Sequence, residues 1–207
     1  MLPALRKVVR MKTMEQKIEY RSIEDLAVTT TDEQDDKMLV TGYLLKFGEP
    51  TVLYKDENGR SVCEVYDPGC VDSGTDLSNC IMRYNHNDDY QVLARTSNDT
   101  LQLTVDAVGV KVDAEIANTT QGKDIYELIR RRDITAMSAG FCVDSDDFDY
   151  ATSTRHIQHI AAIRDASVVD NPAYASTSVD IVQRSIEAAE KERREAKVKF
   201  LKLRCSL

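Results

Sequence analysis

The chain has 207 residues, 42% of them hydrophobic, with no tryptophan and a formal net charge of −8. That length and composition suit one soluble domain with a proper core plus appendages, and no apolar run approaches the ~20 residues that a membrane span needs. Residues 1–17 and 184–207 each carry +4, so the body between them carries −16, which excludes nucleic-acid binding through the general surface.

Residues 1–17 are predicted to be a basic N-terminal extension. They lack a sustained apolar region and a small-residue cleavage site, so a secretory signal is not expected and a cytosol-like compartment is. The polar stretch 29–36 is expected to be a loop, with the body of the domain starting near Met38. Met38 to Phe47, Ser61 to Tyr66, Cys80 to Tyr84, Leu101 to Val105 and Val110 to Ile116 carry strand patterns, several alternating apolar and polar residues at period two. Val110, Val112, Ala114 and Ile116 make the cleanest core-facing set. Asp124 to Arg132 has Ile125, Leu128 and Ile129 at helical spacing and closes on Arg130-Arg131-Arg132, where cations complement the carboxyl end of the helix dipole. Gripping a phosphate or an acidic peptide is the alternative use of that run.

Strands resume with Thr135 to Val143, Arg155 to Ile163 and Ala166 to Val169, and Asn171-Pro172 ends the sheet region. The acidic stretch Asp144 to Asp149 is expected to be a loop or a hairpin tip. From Ser185 onward dense charges without Gly or Pro suggest a surface helix or a helical tail that orders on a partner. Five cysteines, Cys63, Cys70, Cys80, Cys142 and Cys205, contain no C-x-x-C pair, which disfavours both a disulfide framework and a zinc ribbon.

Two short segments carry the chemistry, Asn85-His86-Asn87 and Met137-Ser138-Ala139-Gly140-Phe141. A serine hydroxyl attacks a carbonyl only when a base takes its proton, and an imidazole is the usual one. In a strand, Ala136, Ser138, Gly140 and Cys142 share one face, while bulky Met137, Phe141 and Val143 take the other. The small face leaves room for a substrate or another backbone to come close. His86 sits where a strand runs into a polar turn. A third residue would orient its ring, and Asp165 is the natural candidate, because an acid inside the apolar run Ala161 to Val169 needs a partner. His156 and His159 compete for that orienting role. As an H-x-x-H pair they also raise the question of a metal, but in a strand that spacing puts them on opposite faces, so neither a metal nor a cofactor is expected.

Taken together, the segments resemble the head maturation proteases, or prohead serine proteases, of tailed bacteriophages. The likeness runs through Thr41 to Phe47, Glu64-Val-Tyr-Asp-Pro68-Gly69, Asn85-His86-Asn87 with Val92 to Arg95, Gly109-Val110, Asp133 to Phe141, and Ala166-Ser167-Val-Val169-Asp-Asn-Pro172-Ala173-Tyr174. It covers roughly residues 18–183, which would be the protease domain, leaving 184–207 as a charged helical tail. The resemblance implies a fold similar to the herpesvirus assemblin proteases, mainly β with α, an antiparallel β-barrel with short surrounding helices. It implies a serine endopeptidase with His86 as base, Ser138 as nucleophile and Asp165 as orienting acid, where the family more often has glutamate. Backbone amides near Pro172-Ala173-Tyr174 would hold the oxyanion. The implied substrates are the major capsid protein and its scaffold segment, and the enzyme itself, inside the procapsid assembling in the host cytoplasm. Homodimer formation and crowding in the shell are both open as ways of restraining it. A scaffolding protein that keeps the fold without the activity is the competing expectation.

Overall fold

A computed structural model describes residues 18–24, 26–28 and 37–170, together with 194, 195 and 198, and among them alternation of buried and half-exposed residues makes strand the main regular structure. In chain order the strands are β1 (Glu19–Ile23), β2 (Leu26–Val28), β3 (Leu39–Lys46), β4 (Thr51–Lys55), β5 (Ser61–Tyr66), β6 (Ile81–Met82), β7 (Ala94–Arg95), β8 (Leu101–Val105) and β9 (Gly109–Glu115). The helix α1 (Thr120–Arg130) follows, then the two long strands β10 (Ala136–Asp149) and β11 (Thr154–Val169). The N-terminal extension, the 29–36 loop and the segment holding Pro172, Ala173 and Tyr174 lie outside the described residues. So does most of the charged tail, in which 194, 195 and 198 are helical.

The strands form two sheets. One runs β1-β10-β11-β5-β4, with β6 added beside β11 and β7 beside β6; the other runs β2-β3-β9-β8. One apolar core takes side chains from both, among them Val40, Leu44, Val110 and Val112 from the second sheet and Met137, Phe141, Ile157 and Ile163 from the first. The helix adds Ile125 and Ile129 to the same core. Its first turn is capped by Thr119, whose hydroxyl accepts from the Gly122 N–H at 3.0 Å, and Arg130 lies in its last turn.

The described residues are therefore mainly β with one α-helix, as expected, but the antiparallel barrel is corrected. Two sheets are present and do not close into one, and the larger is mixed, because β11 runs parallel to both β5 and β6. The connection from Asp67 to Cys80 carries the chain onward along β11, from Ile157 beside Tyr66 to Asp165 beside Ile81, so β5 and β6 lie in line and both run parallel to it. It lies along the β11 edge and bonds to it: the Asp76 N–H donates to Ala161 O at 2.9 Å and the Ile160 N–H to Cys70 O at 2.7 Å.

Two further differences concern the acidic residues. The stretch expected to be a loop or a hairpin tip, Asp144 to Asp149, is the outer half of β10, and the hairpin turns after it, before Thr154. Asp144 bonds His159 at 2.6 Å and Asp146 bonds Arg155 at 2.6 Å across to β11, so opposite charges support the pairing. Arg155 to Ile163 and Ala166 to Val169 are one strand, because Arg164 and Asp165 point to opposite faces and each finds a partner, Asp76 and His86. Two strands, β1 and β2, also precede Met38.

Candidate active site

His86 is placed by a tight turn. The Asn87 N–H donates to Tyr84 O at 3.1 Å, and the two central residues, Asn85 and His86, both have positive φ, 53° and 55°. Asparagine and histidine enter the left-handed region more readily than most side chains, though not without cost. The turn is pinned to the end of β11, which makes that conformation hold. Val168 donates its N–H to Arg83 O and accepts from the Asn85 N–H, both at 2.9 Å, and the Tyr84 hydroxyl donates to Asp170 Oδ2 at 2.6 Å.

Ser138 lies on β10 between Ser22 of β1 and Ser167 of β11, while Gly140 lies between Tyr20 and Asp165. Directly paired residues share a face, so Ser138, Asp165, Ser167 and Tyr20 all point the same way, away from the Met137–Phe141 core. On that face the Ser138 hydroxyl donates to His86 Nε2 at 2.7 Å, and His86 Nδ1 bonds Asp165 Oδ1 at 3.1 Å. The Ser167 hydroxyl donates to the same carboxylate oxygen at 2.5 Å, and Arg83 Nη1 stands 3.7 Å from Asp165 Oδ2. An ionised carboxylate only accepts, so this network assigns the proton to Nδ1 and leaves the Nε2 lone pair facing the serine. A base, a hydroxyl and an orienting carboxylate in that order can drive acyl transfer.

Three neighbours complete the site. The Tyr20 ring lies against the imidazole, centroids 4.3 Å apart and planes tilted by 58°. Its hydroxyl is pushed above the ordinary tyrosine range by burial and then by the negative charges of Asp165 and Asp88, so it stays protonated. Arg83 also reaches Asp88 at 3.3 Å. Gly140 leaves the space between: a Cβ there would come within 2.8 Å of both Tyr20 Cε1 and Asp165 Cβ.

His86, Ser138 and Asp165 are brought together, and the two competing histidines are not. His156 bonds Asp67 at 2.8 Å, and His159 bridges Asp144 at 2.6 Å and Asp72 at 3.3 Å. Ser167, Arg83 and Tyr20 went unmarked in the sequence. Ser167 had a signal, since it stands two residues from Asp165 on the same face of one strand. Tyr20 had none, because no apolar alternation marks β1.

Comparison with protein families matches the chain over residues 24–192 to the caudovirus prohead serine proteases. The chain belongs to that family. Comparisons with curated proteins and with solved structures find no match. The prohead protease family is one of serine proteases, which sets this chain's activity as proteolysis in general, its role in phage head maturation and its place inside the prohead. Its substrates are accordingly capsid-related. No described helix of this prohead protease is long and apolar enough to cross a membrane.

Proposed function

We propose that this prohead protease is a serine endopeptidase with Ser138 as nucleophile, His86 as general base and Asp165 as orienting acid. It cuts the scaffold segment and capsid protein, and itself, inside the procapsid assembling in the host cytoplasm. The observation that carries this reading is the unbroken hydrogen-bond chain from Ser138 through both His86 nitrogens to Asp165.

Ser138 Oγ attacks the scissile carbonyl carbon as its proton passes to His86 Nε2, and the carbonyl π pair becomes an oxyanion. Asp165 keeps its charge, holds Nδ1–H and stabilises the imidazolium. The imidazolium returns the proton to the leaving amine nitrogen, the C–N bond breaks, and an ester remains on Oγ. Water then attacks that ester, giving a proton to Nε2, and His86 passes it back to Oγ as the acid product leaves. Backbone amides near Pro172-Ala173-Tyr174 are the oxyanion donors the family resemblance suggests, with Pro172 itself unable to donate.

Ser138→Ala and His86→Ala are each expected to lower cleavage of a co-expressed capsid protein by ~10⁴-fold or more, as members of one catalytic unit do. Circular dichroism should be unchanged. Undiminished cleavage by either variant sinks the reading and leaves a scaffolding role in its place. Mass spectrometry of the purified chain gives a second check, since self-trimming in the wild type should disappear in Ser138→Ala.

A further inference from the structure

We propose that Tyr20 is a positioning residue for His86, seated by a buried ion cluster that fixes the register of β1; the proposal rests on the protease reading above.

β1 is unusual for a strand at a sheet edge, because its two faces do different work. Tyr20 and Ser22 face the site, where Tyr20 pairs with Gly140 and Ser22 with Ser138. Glu19 and Arg21 face the other way and are buried. There they meet Glu64 of β5 and Arg155 of β11, which are 1% and 2% exposed. Arg21 Nε and Nη2 take the two Glu64 oxygens at 2.7 and 2.9 Å. Arg155 Nη1 reaches Glu19 Oε2 at 2.7 Å and Glu64 Oε2 at 2.9 Å. Burial works against both guanidinium charges, yet Glu64 beside Arg21 and Glu19 beside Arg155 push their pKa values above the ordinary arginine range. Asp146 takes Arg155 Nε at 2.6 Å, so two cations and three anions close on each other.

Such a cluster contributes little net stability over well-packed apolar residues, but breaking it leaves a buried charge uncompensated, so it specifies one arrangement sharply. A one-residue slip of β1 would turn Glu19 and Arg21 toward the triad and drive Tyr20 into the cluster. Arg21 also ties the two faces together directly, donating from Nη1 to the Tyr20 carbonyl at 2.8 Å.

Tyr20 matters because of what holds His86. Its side chain is 22% exposed and rises from a turn of positive φ, so its two ring-nitrogen bonds need a wall to keep the ring in plane with Ser138 and Asp165. The tyrosine ring is that wall. It enters the notch left by Gly140 and packs against the imidazole.

The test reads the His86 ring by NMR in the resting protein, beside kcat and KM on a capsid-derived peptide, with the thermal midpoint of each variant recorded. Tyr20→Phe, which keeps the ring, should retain the downfield Nδ1–H resonance of His86 and wild-type kcat. Tyr20→Ala should lose that resonance and lower kcat by about 10- to 100-fold with a smaller change in KM, as loss of alignment does. Where Tyr20→Ala does not fold, Tyr20→Leu keeps apolar bulk, removes the aromatic face and is read in its place. Arg21→Met should reproduce the Tyr20→Ala loss and add little to it in the double variant, because both act through one displacement. A Tyr20→Ala protein with the wild-type resonance and kcat overturns the inference, and independent, multiplying effects of the two substitutions overturn the role of the cluster. The resonance is read without substrate, so a wild-type protein that shows the expected His86 behaviour but cleaves nothing refutes the protease reading alone.

Discussion

Asp165 Oδ1 accepts from both His86 and Ser167, while Oδ2 faces Arg83. Replacing the acid by its amide sets donor against donor if the N–H is turned to Arg83, so the N–H is turned to the ring, where the ring proton needs an acceptor. The imidazole is then driven to carry its proton on Nε2, against the serine. Asp165→Asn is expected to lower kcat by ~10⁴-fold with the fold intact, the size such a tautomer error has elsewhere, as measured by steady-state kinetics on a capsid-derived peptide. Ser167→Ala removes one charge-assisted hydrogen bond, worth about 1.5–3 kcal/mol, so kcat should fall by ~10- to 100-fold while KM stays near the wild-type value. An equal or larger effect on KM would argue against an orienting role. At this scale the sequence was legible where chemistry forced a residue to stand out. An acid in the apolar run Ala161 to Val169 demands a partner, and it has one in His86. Ser167 is chemically quiet in a buried strand; its spacing of two from Asp165 marks the face it shares, and the register with Ser138 shows what that face serves.

Among the elements, the connection between β5 and β6 is held to β11 by two of the three histidines, through Asp67 and Asp72. His159 has its pKa raised, first by the hydrogen bond with Asp144 and with Asp72 also contributing. A proton held more tightly in the folded state stabilises that state below the ordinary value of 6.5, and the contribution is lost as pH rises through the higher folded value. The thermal midpoint should therefore decline on going from pH 6 to pH 8 by an amount that His159→Asn abolishes; an unchanged slope in that variant would remove His159 from the account. Elements were legible where alternation was clean. β5 and β8 span the expected residues, and β9 begins only one residue earlier. Charge hid the others. Glu19 and Arg21 in β1 reach partners on β5 and β11, and Asp144 and Asp146 in β10 reach β11 beside them, and a period-two rule counts such positions as exposed.

Across the molecule, the two sheets share one core that runs from Val40 and Val112 to Phe141 and Ile163. Neither sheet has an apolar face it can keep if the other leaves, so unfolding should be a single cooperative step. Denaturant curves followed by tyrosine near-ultraviolet signal, by far-ultraviolet circular dichroism and by peptide hydrolysis are expected to coincide; separated midpoints would mean that one sheet opens by itself. The class of fold was implied by the family resemblance, and the many short alternating runs with an amphipathic helix at Asp124 to Arg132 agree with it. The sheet order was not visible, because parallel pairing of β11 with β5 and β6 depends on where a long connection lands, and no local pattern encodes that. The 16 residues of β11 also set a rule for how this chain can change in length. Arg155 near one end serves the ion cluster, and Asp165 and Ser167 near the other serve the histidine, and the bulges that pair Phe141 with Ile163 and Val143 with Ile160 set which face each end presents. One residue inserted between Ile160 and Ile163 would turn the catalytic end over while leaving the other end in place. The loop from Asp67 to Cys80 absorbs its own slack through hydrogen bonds along an edge. Natural variation in chain length can accumulate in that loop, while β11 must be inherited as a strand of constant count.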